Sequence, residues 1–334
     1  MAVKIKDLAS DLNLSVATIS KALKDSHEIS PETKRRVLEH ARKLNYTPNP
    51  YASGLRKRSS KTIAVVLPEV ADSFFSQAIN GIEDVAREMG YHVLIYLTHE
   101  NYSKECEILN EFKSGRVDGI LISVSGETIQ SNHIKDVINA GVPVVFFDRV
   151  CEDVDTAKIT TNDAESSYGA TMHLIAKGCI RIAFLSVSEN LSINNRRMEG
   201  FNKAMAERDN KKITAEIVQC GNDGNKNLAI VSKLLKRKKR PDGIIASVEK
   251  LITPVYQVCN IEKLTIPSDI KLISFTNLQT AFILNPALTT ITQPAFEMGK
   301  MAATVLFKAL KKKNISLKKE SVILPSALVM RNST

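Results

Sequence analysis

The first 46 residues carry apolar positions at helical spacing and show no strand-like alternation. Three apolar stripes recur at intervals of three or four residues, which is the spacing of one buried helix face. They are formed by Ile5, Leu8, Ala9 and Leu12, by Val16, Ile19, Ala22 and Leu23, and by Val37, Leu38, Ala41 and Leu44. The pattern predicts three short helices in one small domain, residues 1–46.

Polar residues indicate where the second and third helices begin. Asn13 can adopt a left-handed turn and Ser15 can cap the second helix, while Ser30 and Pro31 provide a cap and first residue for the third. A helix, a tight turn and an amphipathic second helix are typical of a helix-turn-helix that enters the DNA major groove. The candidates for reaching base edges are Ser15, Val16, Ala17, Ser20 and Lys21.

From Lys61 onward, apolar runs of strand length alternate with amphipathic helical stretches. The predicted strands are 63–67, 93–97, 119–124, 142–147, 182–187, 243–248, 272–275 and 322–330. Apolar strands separated by helices predict parallel, doubly wound sheets of the α/β class. About 270 residues of this pattern exceed what one sheet usually holds, so we expect two similar lobes with a ligand cleft between them.

The net charge of +10 is concentrated at the N-terminus. Residues 1–60 contain twelve Lys or Arg and six Asp or Glu, a balance of +6, which leaves +4 for the remaining 274 residues. A small basic unit on a nearly neutral body favours DNA as partner, because phosphate neutralisation supplies most non-specific affinity. The alternative is a solvated basic surface. For the basic run 236–240 we favour a solvated helix end over a nucleic-acid patch.

Several classes of protein are disfavoured by what the sequence does not contain. No apolar run has the length of a membrane span, and the N-terminus has no secretory signal pattern, so we expect a cytoplasmic protein. The five cysteines are far apart and lack a Cys-x-x-Cys pair, which favours reduced thiols without a metal. The common nucleotide-binding, zinc-protease and serine-hydrolase motifs are absent, so we expect no cofactor and no enzymatic activity.

Several motifs resemble the lactose repressor/galactose repressor (LacI/GalR) family of transcriptional regulators. In the head they are residues 5–23, IKDLASDLNLSVATISKAL, then ISPET at 29–33 and LNYTPN at 44–49. In the body they are GVPVVFFDR at 141–149, RMEGF at 197–201 and PALTTITQP at 286–294. The resemblance implies a helix-turn-helix head, a hinge, and a body of the periplasmic sugar-binding type linked by three crossovers.

The family pattern assigns roles to residues of the head and hinge. It implies that Val16, Ala17 and Lys21 read the major groove, with Lys21 the main polar reader because the other two are apolar. The hinge resembles a helix that folds on the operator, with Leu55 inserted into the minor groove, where a wedge bends the duplex. Gly54 departs from the pattern and weakens that helix by roughly 1 kcal/mol relative to alanine. The remaining implied DNA contacts are Ser15, Thr18, Ser30, Thr33, Tyr46, Asn49 and Ala52.

The resemblance also implies domain boundaries and an effector site. The boundaries are 1–46 for the head, 47–60 for the hinge, 61–161 with 292–321 for the first lobe, and 162–291 with 322–334 for the second. Arg197 suits a hydroxyl or carboxylate because its guanidinium donates paired hydrogen bonds. For Phe74 and Phe75, a role in the core is an equal alternative. The implied effector residues are Phe74, Phe75, Asp148, Arg197, Glu249, Thr276 and Gln293.

Three positions depart from the family pattern in the effector region. Thr276 stands where an aspartate is usual, Val248 and Glu249 replace a typical Asn-Asp pair, and Asn162 replaces a common aspartate. These changes predict a cleft that has lost carboxylates. The expected effector is a sugar or sugar derivative, and the loss makes an anionic one, such as a sugar acid or phosphosugar, more plausible.

The functional hypothesis is a transcriptional regulator, most simply a repressor, controlled by a small molecule bound between the lobes. One small head contacts too few base pairs for useful specificity, so we expect a homodimer on palindromic operator DNA. The alternative is a solute-binding protein of the periplasmic sugar-binding type, which would share the lobes and the cleft but need a signal peptide and no DNA-binding head.

Overall fold

A computed structural model of the chain describes residues 3–46, 59–208, 212–312 and 316–334. The chain divides into two compact units, Met1–Ser60 and Lys61–Thr334. The hinge positions Asn49, Ala52, Gly54 and Leu55 lie outside the described residues.

In the described part of the first unit there are three helices, α1 Ile5–Asp11, α2 Val16–Leu23 and α3 Pro31–Lys43. Their apolar stripes meet in one core, where Leu8, Ile19 and Val37 are fully buried. Asn13 has a φ of 52°, the left-handed turn expected between α1 and α2. The Ser15 side chain accepts from the Thr18 backbone N–H at 3.0 Å, and Ser30 caps α3 in the same way. The predicted helical head is confirmed.

The second unit contains strands and helices in alternation. The strands are β1 Thr62–Leu67, β2 His92–Leu97, β3 Gly119–Ile122, β4 Val144–Phe147, β5 Lys158–Thr161, β6 Arg181–Ser186, β7 Thr214–Gln219, β8 Gly243–Ala246, β9 Lys271–Phe275, β10 Thr289–Thr292, β11 Val322–Leu324 and β12 Ala327–Val329. The helices are α4 Ser73–Glu88, α5 Tyr102–Phe112, α6 Asn132–Asn139, α7 Asp163–Ala176, α8 Ser192–Glu207, α9 Gly224–Leu235, α10 Ile252–Ile261 and α11 Ala295–Lys311.

The strands form two six-stranded sheets, one in each lobe. The first has the order β11-β5-β4-β3-β1-β2 and the second the order β12-β10-β9-β8-β6-β7. All pairs are parallel except that of β12 with β10. In both sheets the first strand of the lobe lies between its second and third, which is the switch point where such folds bind ligands, outside the carboxyl ends of the strands. The predicted class, two parallel-sheet α/β lobes, is confirmed.

Strands β5, β7 and β10 were not among the sequence-predicted strands. Strand β7 alternates exposed and half-buried residues at a sheet edge, so it lacks the continuous apolar run by which the others were recognised. Strands β5 and β10 are four residues long and rich in threonine, although they are almost entirely buried.

The chain crosses between the lobes after β5, after β10 and again between β11 and β12. The predicted strand 322–330 is therefore two strands in different sheets, because β11 pairs with β5 in the first lobe and β12 with β10 in the second. The predicted boundary at Val322 is wrong by a few residues, and the crossover lies at Pro325 and Ser326. It is tied to the first crossover, since Asn162 Oδ1 accepts from the Ser326 N–H at 2.8 Å.

Glycines let one helix pair in each lobe approach closely. A Cβ on Gly81 of α4 would lie 2.0 Å from the Phe296 carbonyl oxygen, and one on Gly299 of α11 would lie 2.0 Å from that of Ala78. In the second lobe, a Cβ on Gly200 of α8 would lie 1.9 Å from the Ala164 carbonyl oxygen in α7. These backbone contacts set the helix spacing behind the cleft.

Among the helices in the described ranges, none is both long and apolar enough to cross a membrane.

Candidate functional site

The sequence-predicted DNA contacts that the structure describes lie along α2 and the residue before it, at the start of α3, and, for Tyr46, just beyond the end of α3. Ser15, Ala17, Lys21 and Ser30 are exposed. Val16, Thr18, Ser20, Thr33 and Tyr46 are partly buried, and Val16 and Tyr46 also pack on the core of the head. The two capping serines use their hydroxyls to hold the helix starts, with Ser15 Oγ 2.8 Å from Thr18 Oγ1.

Lys21 forms an ion pair with Glu28, which lies in the loop between α2 and α3. Both side chains are about half exposed, at 48% and 52%. An exposed pair of this kind contributes little stability, so a stronger anionic or carbonyl acceptor can displace Glu28 at small cost. The pair orients the Lys21 ammonium on the outer face of the head.

All seven sequence-predicted effector residues line one cavity between the two lobes. The first lobe contributes Phe74 and Phe75 at the start of α4 and Asp148 directly after β4. The second lobe contributes Arg197 of α8, Glu249 after β8 and Thr276 after β9, while Gln293 lies in the crossover after β10. Most of these positions follow the carboxyl ends of parallel strands, where the topology converges.

Arg197 is the largest fully buried side chain in the described residues, with 2% exposure. Its Nε donates to Asp163 Oδ1 at 2.7 Å, and its Nη1 donates to the Ser247 carbonyl at 2.6 Å. The guanidinium carbon lies 4.0 Å from the centroid of the Phe275 ring. The remaining nitrogen, Nη2, has no hydrogen-bond partner among the described residues. Arg197 is thus held rigidly and keeps one buried donor unused.

Arg149 is the corresponding basic group of the first lobe. Its Nη1 lies 2.9 and 3.0 Å from the two carboxylate oxygens of Glu100, and its guanidinium lies 5.6 Å from the centroid of the Phe75 ring. Burial alone would raise the pKa of Glu100, but Arg149 and the Gly126 N–H hold that pKa below its usual value. The pair therefore remains charged inside the lobe.

Glu249 joins the two lobes. Its carboxylate accepts from the Ser73 hydroxyl of the first lobe and from the Thr276 hydroxyl of its own lobe, and its Oε1 accepts from the Ser73 N–H at 3.3 Å. A second bridge runs between amides, since Gln77 Nε2 donates to the Asn277 carbonyl at 3.1 Å. Polar contacts that involve both side chains and backbone groups thus hold the two lobes together.

Gln293 links the cleft to the crossovers. Its Nε2 lies 3.3 Å from Asp148 Oδ1 and 3.2 Å from Thr161 Oγ1, and its backbone exchanges hydrogen bonds with the Asn277 side chain. Asp148 itself has a φ of 60°, a left-handed conformation uncommon for a residue with a side chain. Gln293, in the crossover between the lobes, thus holds the Asp148 carboxylate at this turn.

The expectation of a cleft that has lost carboxylates is wrong. Asp72, Asp148 and Glu249 all line it, against two arginines. Burial, with the nearby charge of Glu249, raises the pKa of Asp72 to about 6. Burial also raises the pKa of Asp148, although Arg197 and Arg149 oppose the shift. Sequence reasoning counted the residues that family positions had lost and did not count Asp72.

Five further residues line the cleft that sequence reasoning did not select: Asp72, Arg149, Ile193, Val248 and Phe275. Two of them had a usable signal, since Arg149 directly follows Asp148 and Asp72 stands two residues before Phe74 at a predicted strand-to-helix turn. Phe275 lies in an apolar strand and Ile193 is a single apolar residue among polar ones, so neither had such a signal. Phe74 and Phe75 both line the cleft and belong to the core of the first lobe, so the two alternatives for them coexist.

Comparison with known proteins gives two family matches. Residues 4–49 match the profile of bacterial regulatory proteins of the lacI family, and residues 171–334 match that of the periplasmic binding protein-like domain. Catabolite control protein A of Priestia megaterium is 28% identical over 100% of both chains. The ribose operon repressor of Halalkalibacterium halodurans is 28% identical over 99% of this chain and 96% of its own. The lac repressor dimer bound to operator and the anti-inducer ONPF superposes with a TM-score of 0.85 at 20% identity, covering 100% and 99% of the chains.

Proposed function

The chain belongs to the LacI family of bacterial regulatory proteins and is a DNA-binding transcriptional regulator, and from that premise we propose that a sugar or sugar derivative bound between its lobes controls its affinity for an operator. The alternative of a transport solute-binding protein accounts for the lobes but not for a DNA-binding head. The full-length relatives are named as regulators, so we further propose that the chain acts in the cytoplasm and by binding alone.

The observation that carries the effector proposal is the state of Arg197. A buried guanidinium is costly unless all of its donors are paired, yet Nη2 has no partner among the described residues and belongs to a side chain that lines the cleft. A ligand hydroxyl or ring oxygen there would satisfy it. Asp148, Glu249, Thr276 and Gln293 supply further acceptors and donors for a polyhydroxylated molecule.

For DNA, we propose that Ala17 and Lys21 face base edges while the exposed hydroxyls of the capping serines contact phosphates. The Lys21→Ala variant should relax the preference at one base-pair position by roughly 1–3 kcal/mol. The exposed neighbour Lys24 is the control, because Lys24→Ala should weaken binding to all sequences alike. Equal losses on operator and random DNA for Lys21→Ala would contradict the base-reading role.

The hinge assignments remain predictions, because Asn49, Ala52 and Leu55 lie outside the described residues. Leu55→Ala should reduce DNA bending and specific affinity while sparing non-specific affinity, since a wedge acts through deformation of the duplex. Circular-permutation gel shifts on operator DNA measure the bend. An unchanged bend angle in this variant would remove Leu55 from the mechanism.

The proposal as a whole is tested by two measurements on the full chain. Selection from random duplexes should return a palindrome bound by a homodimer, and a single unsymmetrical half-site would contradict this. A sugar that binds is first found by thermal-shift screening. The free energy of operator binding, titrated with and without that sugar, should differ on the order of 1–3 kcal/mol. Operator must then change the affinity for the sugar by the same factor. An operator affinity that no bound sugar changes would show that the protein is not regulated in this way.

A further inference from the structure

A second cavity opens at the edge of the cleft, between the two lobes. It has a volume of about 450 Å³, within the range of pockets that hold small molecules. The space around Arg197 and Asp148 is about 20 Å³, so a ligand enters there only if the lobes separate. Asp72 and Glu249 line both spaces, so the two are neighbours that share a wall.

The floor of the edge cavity is apolar and partly aromatic. Ile252 and Tyr256 of α10 line it together with Leu278 and Leu284 of the second lobe. The Tyr256 hydroxyl donates to the Pro286 carbonyl at 2.7 Å, which fixes the position of the ring. A rigid aromatic ring among aliphatic side chains is a surface on which the C–H face of a sugar ring packs.

The polar part of the edge cavity is acidic. Glu69, Asp72 and Glu249 line it together with one cation, Lys250. The Lys250 ammonium lies 3.2 Å from Glu69 Oε1 and 3.8 Å from Glu100 Oε1, and it donates to Asn222 at 3.1 Å. Ionised carboxylates only accept hydrogen bonds, so they suit hydroxyl donors and repel a phosphate or a carboxylate.

We propose that the effector is a neutral sugar of two rings, with one ring between the lobes at Arg197 and the second in the edge cavity over Tyr256. This inference rests on the proposed function, because it extends the effector site described there. The second ring occupies space that is already open, so its contacts need no further separation of the lobes. Two rings joined in one molecule should therefore bind more tightly than either ring alone.

The test is isothermal titration calorimetry on the full chain with a fixed panel of sugars. The panel contains maltose, sucrose, lactose and trehalose, the monosaccharides that compose them, and the anions glucose 6-phosphate and gluconate. We expect one disaccharide to bind at least tenfold more tightly than its component monosaccharides and than either anion. A monosaccharide or an anion as the tightest ligand would overturn the inference while leaving sugar control intact. If nothing in the panel binds, both the sugar effector and this inference fail.

A pair of variants on α10 tests the location. Thr253 is exposed and lines the edge cavity, so Thr253→Trp should fill the cavity without disturbing the core. We expect it to weaken disaccharide binding at least tenfold and to change monosaccharide binding less than twofold. Asn260→Trp is the matched control, since Asn260 is exposed two turns further along the same helix and does not line the cavity. Equal disaccharide affinity in both variants would overturn the location.

Discussion

Each lobe holds a buried arginine beside a phenylalanine ring. In the first lobe Arg149 lies 5.6 Å from the centroid of Phe75, and in the second Arg197 lies 4.0 Å from that of Phe275. Each has an acidic partner from elsewhere in the chain, the partly buried Glu100 for Arg149 and the fully buried Asp163 for Arg197.

The two arginines differ in which buried guanidinium nitrogen makes no hydrogen bond among the described residues. Arg149 places Nη1 between both oxygens of Glu100, and its Nε makes no hydrogen bond among the described residues but lies 4.0 Å from Asp148 Oδ2. Arg197 uses Nε and Nη1 inside its lobe and leaves the terminal Nη2. A terminal nitrogen reaches a ligand more easily than Nε does. Both arginines therefore brace their lobes, and the buried unused donor of Arg197 is a terminal nitrogen, which supports the proposal that Arg197 binds the effector.

The largest expected effect is on stability, and both lobes should show it. Arg197→Met leaves the buried Asp163 carboxylate without its cation, which should lower the free energy of unfolding by about 3–5 kcal/mol. Arg149→Met should lower it less, because Glu100 is partly exposed and keeps Lys250 at 3.8 Å. Urea denaturation measures the loss. The double variant Arg197→Met/Asp163→Asn should recover a large part of the Arg197→Met loss, because position 163 then carries no charge. A loss below 1 kcal/mol in either single variant would break the analogy between the lobes.

The next effect is on the stability that comes from the close helix pairs behind the cleft, one in each lobe. Gly200→Ala and Gly299→Ala place a methyl group about 2 Å from a backbone oxygen, so each should lower the free energy of unfolding by roughly 1–3 kcal/mol as the helices separate. Gly169→Ala in α7 is the control, since nothing lies within 4 Å of its added Cβ. That variant should gain up to about 1 kcal/mol from helix propensity. Thermal unfolding of the three variants distinguishes crowding from a general effect of removing glycine.

The third effect separates the two arginines by function. Arg197→Lys keeps a cation near Asp163 but loses the planar fork, so sugar affinity should fall at least tenfold, about 1.4 kcal/mol, while operator affinity without sugar changes less than twofold. Arg149→Lys should leave sugar affinity within threefold. Calorimetry measures the sugar affinity, and operator titration measures the operator affinity without sugar. Equal loss of sugar affinity in both variants would show that both arginines contact the ligand.

The smallest effect concerns pH and the acidic wall between the lobes. The pKa of Asp72 is raised to about 6 in the folded chain, above its unfolded value near 4, so the folded state binds more protons between these values. Stability from this group is therefore present at low pH and is lost as pH rises through 6, by about 1 kcal/mol from pH 5 to pH 7. Asp72→Asn keeps the cap on Phe74 and should remove this slope. Unfolding at both pH values measures the difference, and an unchanged slope in the variant would assign it to another group.

The sequence determined the elements whose signals are local. Asn13 adopts the left-handed turn, Ser15 caps α2, and the apolar stripe of α2 packs in the core, all as predicted. Each of these features depends on neighbours within four residues. The parallel lobes followed for the same reason, from continuous apolar runs separated by helices. The seven positions that the family resemblance implied for the effector also line one cleft, since strand ends bring most of them to the same edge of the fold.

Only the tertiary structure decided which charges meet. Arg197 pairs with Asp163, 34 residues away, and Glu249 bonds to Ser73, 176 residues away, and no local pattern encodes such separations. The same holds for residues 322–330, which the sequence predicts as one strand. They form two strands in different sheets, because β11 pairs with β5 and β12 pairs with β10. The acidic character of the cleft likewise arises from Asp72 and Glu249 meeting across the lobes. Local residue types set the helices and strands, whereas long-range packing sets the electrostatics of the site.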